Sequence, residues 1–97
     1  MLNSKDRATL RAAANGLQPY FQIGKGGINE NMAADVSAAL EAHELVKINV
    51  LKTAGETPRR LMAELAAAVG AEEVAAIGGK IILYRRSSRE NFEHILK

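Results

Sequence analysis

At 97 residues, 47% hydrophobic and 25% charged, the chain is expected to build one domain, not two, with a modest core and little room for a deep substrate cavity; this balance also excludes wholesale disorder. The absence of cysteine removes disulfides, thiolate metal sites and thiol nucleophiles together and fits a reducing compartment. The net charge of +2 is too small to imply nucleic acid by itself, but it is unevenly spread: residues 1–27 carry +3, residues 28–57 carry −3 and residues 58–97 carry +2. A fold that brings the two ends together would give one basic face and one acidic face.

In chain order, Ser4 is placed to cap a first helix running to about Ala14, with Leu10, Ala13, Ala14 and Leu17 on one stripe and Arg7 and Arg11 beside it, four residues apart. Asn15-Gly16 ends this helix, both residues tolerating the left-handed conformation of a C-terminal cap. Lys5, Asp6, Arg7 and Arg11 fall in its first turns with no apolar run after them, so no signal peptide or membrane span is expected and the expected location is the cytoplasm. Pro19 opens a short strand, Tyr20 to Ile23. After the glycine loop at 24–27, Asn29 caps a second helix to about His43, with Ile28, Met32, Val36 and Leu40 at strict i, i+4 spacing. Leu45 to Lys52 reads as a half-buried strand in which Val46, Ile48 and Val50 alternate with Lys47, Asn49 and Leu51. Ala54-Gly55 turns the chain into a third helix, with Thr57 as cap, Pro58 at the first helical position, Leu61, Leu65, Val69, Met62 and Ala66 facing inward, and Gly70 as the stop. Val74 to Ile77 and Lys80 to Arg85 are two strands joined by Gly78-Gly79, a two-residue hairpin signal. No element is assigned to the polar tail, 86–97, which carries a late Phe92, Ile95, Leu96 cluster.

The order α-β-α-β-α-β-β predicts an α/β (α+β two-layer sandwich) fold. Its first two strands are parallel because a strand–helix–strand crossover makes them so, its last two form an antiparallel hairpin, and the second and third helices pack on one face of a four-stranded mixed sheet.

Chemistry concentrates at Gly24-Lys25-Gly26-Gly27, between a strand and a helix N-terminus. Glycines spaced G-x-x-G let a phosphate approach the backbone, the helix amides and dipole favour an anion there, and Lys25 adds a positive charge at the tip. A tight turn with no ligand would use the same glycines. A Walker loop would need Ser or Thr where Gly26 stands, and a dinucleotide fingerprint would need glycine where Asn29 stands, so nucleotide hydrolysis and dinucleotide binding are not expected. Arg59 and Arg60 occupy the first turn of the third helix, where acids are favoured; the cost is a few tenths of a kcal/mol each on the usual scale (~0.3), consistent with phosphate contact or with no function at all. Catalysis finds little support. His43 closes the second helix, where a partly charged imidazole is favourable, and His94 lies in the tail; Glu72-Glu73 fits a solvated strand start, and no His/carboxylate cluster has metal spacing. The four aromatics are too few for a base-stacking platform, and Tyr20, Phe21 and Tyr84 fit core or sheet positions better than base contacts.

Taken together, Leu10-Arg11, Leu17-Gln18-Pro19, Ile23-Gly24-Lys25-Gly26-Gly27, Leu40, His43-Glu44-Leu45-Val46-Lys47, Ile77-Gly78 and Leu83-Tyr84-Arg85 resemble the YhbY family, the bacterial single-domain version of the CRM (chloroplast RNA splicing and ribosome maturation) domain. Asn15 stands where the family often has histidine, and Arg86 where it often has proline; neither departure touches the loop. The resemblance spans nearly the whole chain. It implies a fold like the C-terminal domain of translation initiation factor three, with sheet order 1-2-4-3 and an extra N-terminal helix. It also implies binding of structured RNA through the G-x-x-G loop and neighbouring basic residues, in bacterial members linked to precursor large ribosomal subunits.

The resulting expectation is a single RNA-binding domain over 1–97, acting as a monomer without catalysis, cofactor, metal or membrane. Its partners would be large-subunit ribosomal RNA and pre-ribosomal particles. The expected contacts are Gly24, Lys25, Gly26, Gly27, Arg7, Arg11, Arg59, Arg60 and Arg85. Two alternatives are a protein-interaction adaptor using the acidic middle of the chain, and a small enzyme binding a phosphorylated metabolite at the glycine loop.

Overall fold

In the computed structural model, which describes residues 2–96, the elements are α1 (Ser4–Ala14), β1 (Phe21–Ile23), α2 (Glu30–His43), β2 (Leu45–Val50), a 3-10 turn (Lys52–Ala54), α3 (Pro58–Val69), β3 (Glu72–Ile77) and β4 (Lys80–Tyr84). The order of helices and strands is the expected one. The sheet order is β1-β2-β4-β3, with β1 parallel to β2 and the other two pairings antiparallel.

The period-2 pattern of the central strands decides what each face of the sheet covers. Val46, Ile48 and Val50 of β2 and Ile81 and Leu83 of β4 join Ile23 on one face, where α2 supplies Val36 and Leu40 and α3 supplies Leu61, Met62, Leu65, Ala66 and Val69. This is the two-layer unit read from the periodicity. Leu65 is fully buried in it. Its truncation to alanine leaves a cavity that the packed sheet cannot close, so Leu65→Ala should cost about 3 kcal/mol. A thermal melt of the variant unchanged from wild type would contradict this packing.

The alternate residues of the same strands, Leu45, Ile82 and Tyr84, face the other way, together with Val74 of β3. That surface is covered by Leu10 and Ala14 of α1 and by Ile95 and Leu96 of the tail, so α1 and the tail add a layer beyond the two-layer unit. Lys47 anchors the end of α1: its ammonium donates to the carbonyls of Ala14 and Leu17 at 3.3 and 3.4 Å, a favourable place for a cation.

Several local expectations need correction. The cap of α1 is Asn3, one residue earlier than Ser4, because Asn3 and Asp6 make a reciprocal capping box in which the Asn3 side chain accepts from the Asp6 amide at 2.8 Å. That helix does not end in a left-handed residue: Asn15 is right-handed, and its amide is shared between the carbonyls of Arg11 and Ala12. The second strand stops at Val50 rather than Lys52, since the Ala54 amide bonds back to the Leu51 carbonyl and closes the 3-10 turn. Tyr20 lies just outside β1 and is 55% exposed, so it is not a core residue; its ring stacks on His43 at 5.9 Å. Phe21 and Tyr84 do pack into the two clusters.

The tail is the largest addition to the expected structure. Met1 and Lys97, the last tail residue, lie outside the described residues. Glu44, directly after α2, takes a left-handed conformation (φ 66°) and is wholly buried. Its carboxylate accepts from the backbone amides of Ser87 and Ile95 at 2.7 and 2.8 Å and lies 2.5 Å from Nδ1 of His94. Its backbone carbonyl accepts from the Arg85 amide. Glu41, one turn earlier, receives the Ser88 amide and hydroxyl through its carboxylate and the Ser87 hydroxyl through its carbonyl. The tail is thus tied to the end of α2 by the polar groups of two glutamates, and its apolar residues close the α1 face.

Candidate nucleic-acid interface

The register fixes which loops share an end of the sheet. Ile23 pairs with Val50, Asn49 with Lys80 and Lys80 with Ile77, so the loop at 24–27, the segment 51–57 and the Gly78-Gly79 turn lie together. The amino ends of α2 and α3 meet the same end, since each helix follows one of these segments.

The glycine loop is a closed turn: the Gly27 amide bonds to the Gly24 carbonyl at 2.9 Å, which leaves Lys25 and Gly26 at its exposed tip. Gly27 has φ +64°, so the backbone itself demands glycine there. Gly26 differs. Its φ is outside the left-handed region, and a Cβ added to it would meet no atom within 4 Å. Nothing inside the protein requires glycine at position 26, whereas a phosphate laid against the tip would. Two residues on, Asn29 caps α2 by accepting from the Met32 amide at 2.8 Å. Glu30 in the first turn suits the helix dipole and places an acid close to the glycine loop.

The other expected contacts divide. Arg7 and Arg11 of α1 and Arg59 of α3 come from opposite faces of the sheet and meet around the edge of β3, lining a cleft of about 310 Å³ with Met62 and residues 73–77. Arg60 is exposed and forms a one-turn ion pair with Glu56 at 3.4 Å. Arg85 is spent inside the protein: its guanidinium donates to the Val69 carbonyl at 2.8 Å and to the hydroxyl and carbonyl of Ser37 at 2.9 and 2.8 Å, clipping the end of α3 to the middle of α2. It has the geometry of a structural arginine, and we leave it out of the interface. Lys52 and Lys80, exposed at the same sheet end as the loop, were not singled out from sequence, because their proximity arises only from the β2–β4 register.

The two histidines are far from this end or occupied. His43 closes α2, about 20 Å along a 14-residue helix from its amino end. His94 faces Glu44. Burial acts to raise the Glu44 carboxyl, but the His94 hydrogen bond, the Ser87 and Ile95 amides and the His94 charge outweigh it and hold the group below its ordinary value of 4.5. Glu41 is also held low, first by its hydrogen bonds from Ser88. Among the described residues, no group of three or more His, Cys, Asp and Glu side chains is arranged for a metal ion, and no helix is long and apolar enough to cross a membrane.

A profile described as the CRS1 / YhbY (CRM) domain matches residues 2–85. The Bacillus subtilis protein named "Probable RNA-binding protein YqeI" is 41% identical over 91 residues, covering 94% of each chain. A Haemophilus influenzae protein named "RNA-binding protein" is 29% identical over 92 residues, covering 95% of this chain and 93% of its own. Among solved structures, the solution structure of a hypothetical protein of Staphylococcus aureus superposes with a TM-score of 0.74 at 38% identity, covering 94% of this chain and 95% of the other.

Proposed function

The chain belongs to the CRS1/YhbY (CRM) domain family, and on that premise we propose that it binds structured RNA without catalysis, as an assembly factor on large-subunit ribosomal RNA in pre-ribosomal particles. The observation that carries this reading is Gly26: a residue whose missing side chain serves nothing inside the fold, at the exposed tip of a loop that also carries Lys25. The loop and the amino end of α2 take a phosphate, while Arg7, Arg11, Arg59 and Arg60 extend the positive surface, joined by Lys52 and Lys80. With exposed aromatics scarce, the RNA is read through its backbone and shape.

The adaptor alternative draws on the acidic middle of the chain, and two of its five acids are spent on the tail, Glu44 completely and Glu41 through Ser88. The metabolite-enzyme alternative has no histidine near the loop. A salt titration separates the RNA reading from both alternatives, because counterion release makes RNA affinity fall steeply with ionic strength.

Arg7→Ala with Arg11→Ala should weaken RNA binding and flatten the slope of log affinity against log salt by up to about two contacts. The fold should survive, since both side chains are on the exposed side of α1. A double variant with the wild-type slope would remove α1 from the footprint.

A further inference from the structure

We infer that the arginine cleft at the edge of β3 receives one unpaired nucleotide of the bound RNA, so that the preferred target is a helix carrying a bulge or loop nucleotide rather than a fully paired stem. The inference rests on the RNA-binding reading above and adds to it a second contact of a different kind. The loop at 24–27 follows β1 and the cleft lies on β3, at opposite edges of the sheet, about 14 Å apart as three interstrand spacings.

Four features point to a nucleotide. The guanidinium groups of Arg11 and Arg59 make no hydrogen bond or ion pair among the described residues, and they reach the cleft from helices on opposite faces of the sheet. Two guanidinium groups in that position can hold a phosphate or lie flat on a base. The wall between them is the backbone of an edge strand, whose outward amides and carbonyls have no neighbouring strand. Such groups can read the pairing edge of a base that has left its stack, whereas a paired A-form stem keeps those edges in its base pairs, hides its major-groove edges in a deep, narrow groove and is met mainly through its backbone and 2′-hydroxyls. Ile77 adds an apolar surface at the mouth, 57% exposed. At about 310 Å³ the cleft is at the small end of ligand-sized sites, suited to one nucleotide.

A peptide strand added to β3 is the competing occupant, and the edge is poorly made for it. The register slips between Glu73 and Ala75, which sends the adjacent Val74 and Ala75 to the same face and breaks the regular ladder a new strand would need. Arg7 already donates to the Glu73 carbonyl at 3.4 Å and lies across that part of the edge.

The test uses two pools of RNA hairpins with randomised stems, one fully paired and one with a single randomised bulged nucleotide, titrated against the whole chain. Wild type should prefer the bulged pool by about tenfold, the scale of one well-held base. Arg11→Ala with Arg59→Ala should weaken both pools through the lost positive charge and bring them to equal affinity, and Lys25→Glu should weaken both pools alike and keep the preference. Equal wild-type affinity for the two pools, or a preference that survives loss of both arginines, would overturn the inference and leave the RNA reading standing. The first result is also what a peptide-binding edge would give. Failure to bind either pool would overturn both.

Discussion

Glu44→Ala should destabilise the domain by about 3–5 kcal/mol, because two backbone amides lose a charged acceptor, at about 1.5–3 kcal/mol each. The loss has identifiable parts. The amides of Ser87 and Ile95 would lose their acceptor, and His94 would lose its partner. Residue 44 would keep its left-handed backbone without the contacts that hold it there. For a domain of this size the melting temperature should fall by at least about 12 °C. Glu44→Gln should cost less, since the amide oxygen can still accept one of the two backbone hydrogen bonds. The wild type should show the matching acid dependence. Because the folded carboxyl is held below 4.5, its contribution is complete above that value and is lost as the pH falls through the depressed folded value. An alanine variant melting within a few degrees of wild type would mean that the tail is not docked on this carboxylate.

Local pattern made the main elements legible. Each helix and strand reads from periodicity and caps, and the face carrying α2 and α3 follows from Val46-Ile48-Val50 and from Leu61-Leu65-Val69. The second layer was written less openly. The run Ile81-Ile82-Leu83-Tyr84 has no polar position, as a strand covered on both faces requires, and it is the signal by which α1 and the tail could have been placed. Glu44 gave no local signal. The residues that hold it are 43, 50 and 51 positions away, so the helix end read at His43 stands, and the glutamate after it is in addition a buried anchor.

The candidate site shows the same division. The glycine loop is continuous in sequence and was found from its residues, whereas the cleft joins Arg7 and Arg11 to Arg59 across half the chain and exists only once β3 has been placed between α1 and α3. Arg85 was counted among the expected RNA contacts because nothing nearby in sequence reveals that Ser37 and Val69 wait for its guanidinium.

The loop itself bears the sharpest consequence. Lys25→Asp with Gly26→Asp keeps the loop length, reverses its charge and puts side chains where a phosphate would lie. Position 26 has an open surrounding and no left-handed φ, and position 25 is exposed, so the variant should melt near wild type. The decisive measurement is co-sedimentation of this variant with large-subunit precursor particles, alongside a circular dichroism melt, with Lys25→Glu as the milder companion. The phosphate grip predicts a folded variant whose binding falls by about a hundredfold or more, as lost charge-assisted hydrogen bonds and added repulsion each contribute. A folded variant that co-sediments as fully as wild type would contradict it.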